Sequence, residues 1–334
     1  MADQSVGVSD EVFLTGATGF VGSHVLDALL TRGYTVRALV RGDHSSFGSD
    51  GRCAVVRGDL REPGALTSAM RGCRYLIHVG AMYTFAPRAA SAIRQVNVQG
   101  TRGLLEAARI AGVERAVVTS SSAAVGAARG GRPADENDWA DPHHRGVSAY
   151  HASKVMQERV ALAARIPVVT VLPTAPIGAA DARPTPTGRM IVDLMRGRIP
   201  ATLGGGMNVV AVTDVAAAHV QAMERGRPRQ RYLAGGVNLT LAELFRLIAR
   251  AAGKRAPALR MPYALAAAAG VVDEIRCRIT GGEPSIPREG VRMGRLFMYT
   301  SSEKAMNELG YRPSPIETAI EQAVVWYRQH GYAA

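Results

Sequence analysis

Lysine is nearly missing from this chain: of 40 lysine and arginine residues, only Lys154, Lys254 and Lys304 are lysine. Cysteine is as scarce. Cys53, Cys73 and Cys277 show no CxxC spacing and no even-numbered framework, which excludes a cysteine zinc site and fits a reducing cytoplasm. Aromatics make up only 5%, whereas 36 glycines point to tight turns and close backbone approaches. Long apolar runs are also lacking. The longest, near Ala264 to Val272, falls far short of the ~20 residues needed to cross a bilayer, so no membrane span is expected. The polar, acidic start MADQSVGVSDE lacks the pattern of a signal peptide. A cytoplasmic location is the expectation.

The formal charge of +12 admits nucleic acid, an acidic membrane surface or an anionic ligand as partners. No run of five or more basic residues occurs, so the clustered footprint of phosphate tracking is missing and no nucleic-acid partner is expected. With 47% hydrophobic and 20% charged residues, 334 residues suffice for one large or two modest globular domains. HExxH, GxSxG, P-loop and DxD patterns are absent, and His143 and His144 sit together in a loop, so no metal site is expected.

What is present is a rhythm. EVFLTG (11–16), YTVRALV (34–40), CAVVRGDL (53–60), RYLIHVG (74–80), RAVVTSSS (115–122) and PVVTVLP (167–173) read as buried strands. Helical patterns intervene at 20–32, 91–111 and 149–165. Such alternation predicts an α/β fold with a doubly wound parallel sheet. We place the dinucleotide-binding domain at 1–173, with 209–235 rejoining it. A smaller, mostly helical substrate lobe takes 174–208 and 236–334, where helical patterns cover 240–252, 262–279 and 316–330.

TGATGFVG puts Gly16, Gly19 and Gly22 between the first strand and the first helix. Gly16 permits a tight turn and Gly19 lets the backbone approach a pyrophosphate. Gly22 lets the helix pack on the strand, with its positive N-terminus toward the phosphates. The second strand ends in Val40 where an acid would take the ribose hydroxyls of NAD, and Arg41 follows, which favours NADP. Asp43 offers the NAD alternative. Asp59, in GDL after the third strand, is a candidate acceptor for the adenine amino group.

Tyr150 and Lys154 are four residues apart, so a helix presents both on one face. An ammonium beside a phenol lowers its pKa and lets tyrosine act as acid or base. Lysine's compact head can also bind ribose hydroxyls, which arginine's planar fork does not reproduce. In so lysine-poor a chain, the spacing singles Lys154 out. VVTSSSAAVG ends the fifth strand, where ligands sit in such sheets, and its register favours Ser121 over Ser122 as the group that holds a substrate oxygen.

Together TGxxGxxG at 15–22, GDL at 58–60, Asn97 in VNVQGT, TSS at 119–121 and YxxxK at 150–154 resemble the extended short-chain dehydrogenase/reductases over nearly the whole chain. The resemblance implies a Rossmann fold, catalysis by Ser121, Tyr150 and Lys154, and a homodimer formed by the helices near 91–111 and 149–165. It implies cofactor contacts from Gly16, Gly19, Phe20, Val21, Gly22, Arg41, Asp59, Leu60, Val79, Gly80, Ala81, Thr119, Tyr150, Lys154 and Pro173. VRALVR and TSSSA are similar to the dihydroflavonol-reductase-like branch. PTPTGRMIVD, RGRIPA, NLTLAEL and LGYRPSP resemble the hopanoid-associated sugar epimerase group. Two departures stand against a nucleotide-sugar substrate. Met207 and Asn208 occupy the place of an Arg-Asp pair, and AAVGAARG replaces the usual VYG.

The sequence therefore predicts an NADP(H)-dependent reductase of a ketone or aldehyde on a polyol, sugar-like or isoprenoid-linked small molecule. A sugar epimerase with tightly held NAD(P) is the alternative, and a non-catalytic dinucleotide sensor the third.

Overall fold

The computed structural model describes residues 10–42, 51–84, 87–127, 131–144, 147–280 and 288–332. Asp43 lies outside them. The first half alternates β1 (Glu11–Thr15), α1 (Phe20–Thr31), β2 (Thr35–Val40), β3 (Cys53–Arg57), α2 (Pro63–Met70), β4 (Tyr75–His78), α3 (Ala90–Arg94), α4 (Thr101–Ala111), β5 (Arg115–Thr119), α5 (Ala149–Leu162) and β6 (Val168–Pro173). A π-helical turn, Gln95–Gly100, joins α3 to α4 and interrupts the single helix expected over 91–111.

The second half contains β7 (Ala175–Ile177), α6 (Pro186–Met195), β8 (Ala201–Thr202), β9 (Gly206–Ala211), α7 (Val212–Arg225), β10 (Arg231–Ala234) and β11 (Val237–Thr240). Then come α8 (Leu241–Ala252), β12 (Leu259–Arg260), α9 (Tyr263–Thr280), α10 (Arg288–Met293), β13 (Phe297–Met298), α11 (Glu303–Leu309) and α12 (Ile316–Gln329).

Seven strands make one sheet in the order β10-β6-β5-β4-β1-β2-β3, every pairing parallel. This is the doubly wound Rossmann sheet that the alternation predicts. Central strands covered on both faces must be apolar throughout, and Val12, Phe13 and Leu14 of β1 are fully buried. On one face α1 and α7 contribute Val25, Leu29, Val215 and Met223 to the core. On the other, α2 and α4 contribute Leu66, Met70, Leu104 and Leu105. Strand order runs outward from β1 in one direction and from β4 in the other. Their C-terminal ends therefore flank the switch point, where such sheets leave a crevice for ligands.

Within 209–235, α7 packs on the main sheet and β10 extends its edge, but residues 209–211 belong to β9 of a second sheet. That sheet runs β11-β9-β13, with β7 also paired to β9, so the C-terminal lobe carries strands beside its helices. Gly235 and Gly236 explain the crossing from one sheet to the other. A Cβ on Gly236 would lie 2.5 Å from the Val209 carbonyl oxygen, so only glycine passes between β10 and β11. The lobe's own core joins α6, α8 and α12 through Ile191, Leu244, Ile248 and Ile320.

Candidate active site

The turn from β1 into α1 is built for close approach. Gly16 has φ +79°, and a Cβ there would sit 2.6 Å from the Gly80 backbone nitrogen. A Cβ on Gly22 would lie 1.9 Å from the Gly16 carbonyl oxygen. Gly19 begins α1 with no side-chain cap, so the first N–H groups of the helix are left for another acceptor. No acidic residue occupies the first turn. A diphosphate fits this cradle by charge and by space. Gly22→Ala is expected to overpack the turn by about 1–3 kcal/mol and to weaken dinucleotide binding at least about tenfold. A fluorescence titration with NADPH measures it.

The other predicted cofactor residues line the C-terminal ends of the sheet. Phe20 opens α1, its ring edge-on to His24, and Val21 packs against the core. Arg41 is exposed directly after β2 and close enough to favour the Asp59 carboxylate electrostatically. Asp59 accepts from the Arg61 backbone nitrogen at 2.8 Å and from its guanidinium at 2.7 and 3.0 Å, which holds the carboxyl down at about 2. Leu60 and Val79 are half-buried, and Ala81 is exposed. The Gly80 N–H donates to Thr15 Oγ1 at 3.2 Å. Pro173 ends β6 opposite Ala234, and beyond it the buried Thr174 Oγ1 has no partner in the protein. An orphaned hydroxyl at a strand end of this crevice suits a ligand with polar groups.

Lys154 is almost wholly buried on α5. Its ammonium donates to the Thr119 carbonyl oxygen at 2.7 Å and to Gln157 Oε1 at 2.6 Å. Burial pushes its pKa down to about 7, and Glu158 one turn along opposes the shift. A chain of side chains continues from Gln157. Gln157 Nε2 donates to Thr101 Oγ1 at 2.9 Å, and Thr101 donates to the Asn97 carbonyl oxygen. Thr101 Oγ1 therefore accepts from His78 Nε2, which leaves His78 Nδ1 to accept from Thr15 Oγ1 at 2.7 Å. The chain ends at Gly80, so the lysine and the glycine-rich turn share one buried polar network.

His219 closes a second branch. Its Nδ1 lies 2.7 Å from the Val215 carbonyl oxygen and so donates, while Nε2 accepts from Thr119 Oγ1 at 2.7 Å. Burial pushes His78 down to about 3 and His219 to about 4, with the Lys154 charge adding to both. Above pH 6.5 these histidines are neutral whether the chain is folded or not. Below it the unfolded chain takes up protons that the folded one refuses, so stability is lost as pH falls from 6.5 toward 4. Thermal midpoints by circular dichroism are expected to drop across that window, and less steeply in His219→Gln.

Tyr150 sits in the first turn of α5, whose N-cap Ser148 accepts from the His151 N–H at 3.2 Å. Burial pushes the phenol well above its usual value, and the nearby Ser121 hydroxyl at the end of β5 opposes that. The expectation that Lys154 lowers this pKa finds no support in the geometry, since the ammonium is turned to Thr119 and Gln157. Ser121 Oγ accepts from the Ala123 N–H at 3.2 Å, which fixes its rotamer at the end of β5.

Three residues here escaped the sequence reading. Gln157 lies one turn beyond Lys154 on the same face, and the i, i+3 rule would have found it. Tyr83 packs edge-on against Tyr150 at 4.4 Å between ring centres and remains half exposed, an aromatic after a strand end in an aromatic-poor chain. No local signal marks His78. Asn208, in contrast, is taken up by the fold: it accepts from the Gly236 N–H at 2.8 Å and donates to Asn238 at 2.8 Å.

An enzyme that works with a nicotinamide dinucleotide is the class defined by this crevice and its helix of tyrosine and lysine. Residues 12–235 match the model of the NAD dependent epimerase/dehydratase family, and the chain belongs to that family. Over 98% of its length it is 38% identical to a Synechocystis sp. protein named putative dihydroflavonol 4-reductase, 97% of which is covered. It is 33% identical to sterol demethylase protein B of Methylococcus capsulatus, across 95% of this chain and 98% of that one. The solved structure of gox2253 superposes with a TM-score of 0.84 at 38% identity, covering 97% of this chain and 100% of its own.

Proposed function

We propose that the chain is an NADP(H)-dependent reductase of a ketone or aldehyde, reversible as an alcohol dehydrogenase, acting on a polyol, sugar-like or isoprenoid-linked small molecule. The observation that carries this reading is the buried Tyr150 on the first turn of α5, held protonated by burial and set beside Ser121 at the end of β5, on the same helix as Lys154. A bound nicotinamide dinucleotide supplies the hydride for the carbonyl carbon. Tyr150 donates its hydroxyl proton to the carbonyl oxygen, and Ser121 Oγ holds that oxygen in place. Lys154, with two N–H groups engaged, has a third for a ribose hydroxyl. Exposed Arg41 after β2 supports NADP over NAD, because its charge suits the extra phosphate. The same reading carries a homodimer built on α4 and α5, which sedimentation velocity tests.

Asn208 weighs against the sugar-epimerase alternative, since its amide is spent on holding β11 and the Gly235–Gly236 turn. The names of the two relatives, one a reductase and one of sterol chemistry, support a carbonyl on an apolar skeleton. The test is an NADPH-oxidation screen against ketones, aldehydes and keto-sugars. Stoichiometric NADPH consumption that disappears in Tyr150→Phe is the expected result. Cofactor retained through purification, with substrate isomerised and no net NADPH used, would overturn the reductase reading.

A further inference from the structure

Helix α9 turns an aliphatic face outward. Leu265 is 63% exposed, Val272 66% and Ile279 82%, with Val271 and Ile275 also exposed on the same side. Their spacing of three, four and seven residues puts them in one stripe along the helix. The opposite face, through Ala266, Asp273 and Cys277, is buried against the protein. Of the fifteen exposed large hydrophobic side chains among the described residues, nine lie between Leu259 and Phe297. Arg295 packs over the Tyr263 ring at 4.7 Å, which places Leu296 and Phe297 beside the start of α9 and extends the apolar surface there. Patches of this kind on otherwise polar proteins mark interaction sites.

The charges around the stripe identify what it meets. Among the described side chains of 254–297, every exposed charged group is basic: Lys254, Arg255, Arg260, Arg276 and Arg295. The acids on α9 are withdrawn, Asp273 into a pair with Arg276 at 2.6 Å and Glu274 into partial burial. A second copy of the chain would set these basic groups against their own equivalents, which disfavours a self-contact. Protein interfaces are enriched in aromatic side chains and methionine. The stripe on α9 is purely aliphatic, and among the helix's described side chains Arg276 is the one exposed charge. An aliphatic face with a basic border is the pattern of a helix lying in a membrane interface.

We infer that α9 docks on an anionic lipid surface, with Leu265, Val272, Ile275 and Ile279 in the acyl boundary and the arginines among the headgroups. The helix lies along the surface and does not cross it, as no helix among the described residues is long and apolar enough to span a membrane. The inference stands independently of the reductase reading.

Co-sedimentation of the full chain with vesicles tests it, using phosphatidylcholine alone or with about one third phosphatidylglycerol. Binding to the anionic vesicles, weakened by salt and much lower on neutral ones, is expected. The double variant Val272→Asp, Ile275→Asp removes two aliphatic anchors at exposed positions. It should bind roughly 30-fold more weakly or worse, with unchanged thermal midpoint and NADPH affinity. Absence of vesicle binding by the unaltered chain overturns the inference, as does equal binding by the variant. So does a variant whose only change is a shift from dimer to monomer in sedimentation velocity, which assigns the face to a second copy.

Discussion

Tyr150→Phe is expected to lower NADPH-dependent carbonyl reduction by a factor of about 100 to 10,000, the usual contribution of a positioned general acid. The substitution removes one oxygen and keeps the ring, so the edge-on packing against Tyr83 survives. The cost to the fold should be small, about 1 kcal/mol at most, the scale of one hydrogen bond. Dinucleotide affinity should change little, because the glycine-rich turn and Lys154 are untouched. That combination separates a catalytic loss from a binding loss: kcat falls while the NADPH Kd holds. Ser121→Ala is the companion. It leaves the phenol in place but frees the substrate oxygen, so its effect should be smaller and fall on kcat and KM together. Full turnover in Tyr150→Phe would remove the proton donor from the mechanism.

The parts of the molecule legible in the sequence are those governed by local periodicity. Strands at 11–15, 35–40 and 168–173 follow from apolar runs bounded by turns, and the position of Gly16, Gly19 and Gly22 follows from their spacing. The pairing of Tyr150 with Lys154 on α5 is likewise a matter of helix pitch. What was not legible depends on contacts distant in sequence. Gln157 meets Thr101 across 56 positions, and His78 meets Thr15 across 63. No window of sequence reveals that these buried groups satisfy one another. The helix expected over 91–111 is broken by a π-helical turn, where Asn97 binds both the nitrogen and the carbonyl oxygen of Met82. That side chain ties the π-helical turn to the segment that follows β4, a purpose that the helical pattern alone does not reveal. The electrostatic expectation for Tyr150 missed for a related reason: spacing put the lysine on the right face but could not show that Thr119 and Gln157 hold its ammonium.

Glu158→Ala is expected to destabilise the protein by about 3–5 kcal/mol, because it strands a buried guanidinium. Glu158 is fully buried, and Arg231 faces it in a forked pair at 2.9 and 3.1 Å. Ser120 and Thr170 each donate a further hydrogen bond to the carboxylate at 2.8 Å. On the far side, Arg231 donates to the carbonyl oxygens of Glu136 and Asp138 and stacks 3.7 Å from the Trp139 ring. The pair thus fastens α5, β10 and the 131–144 segment together beside β5. Arg231→Met should cost about as much on its own, while the double variant Glu158→Met, Arg231→Met should lose much less than the sum, since no charge is left buried. Denaturant unfolding of the four proteins measures the coupling. Glu158 also reaches the candidate catalytic helix face, because its charge is what opposes the burial shift at Lys154. The milder Glu158→Gln keeps the side-chain shape but removes that charge. Lys154 should then lose its proton at lower pH, and the basic limb of the kcat/KM profile should move downward with it. A profile that stayed in place would separate the two roles and leave Glu158 as a structural anchor only.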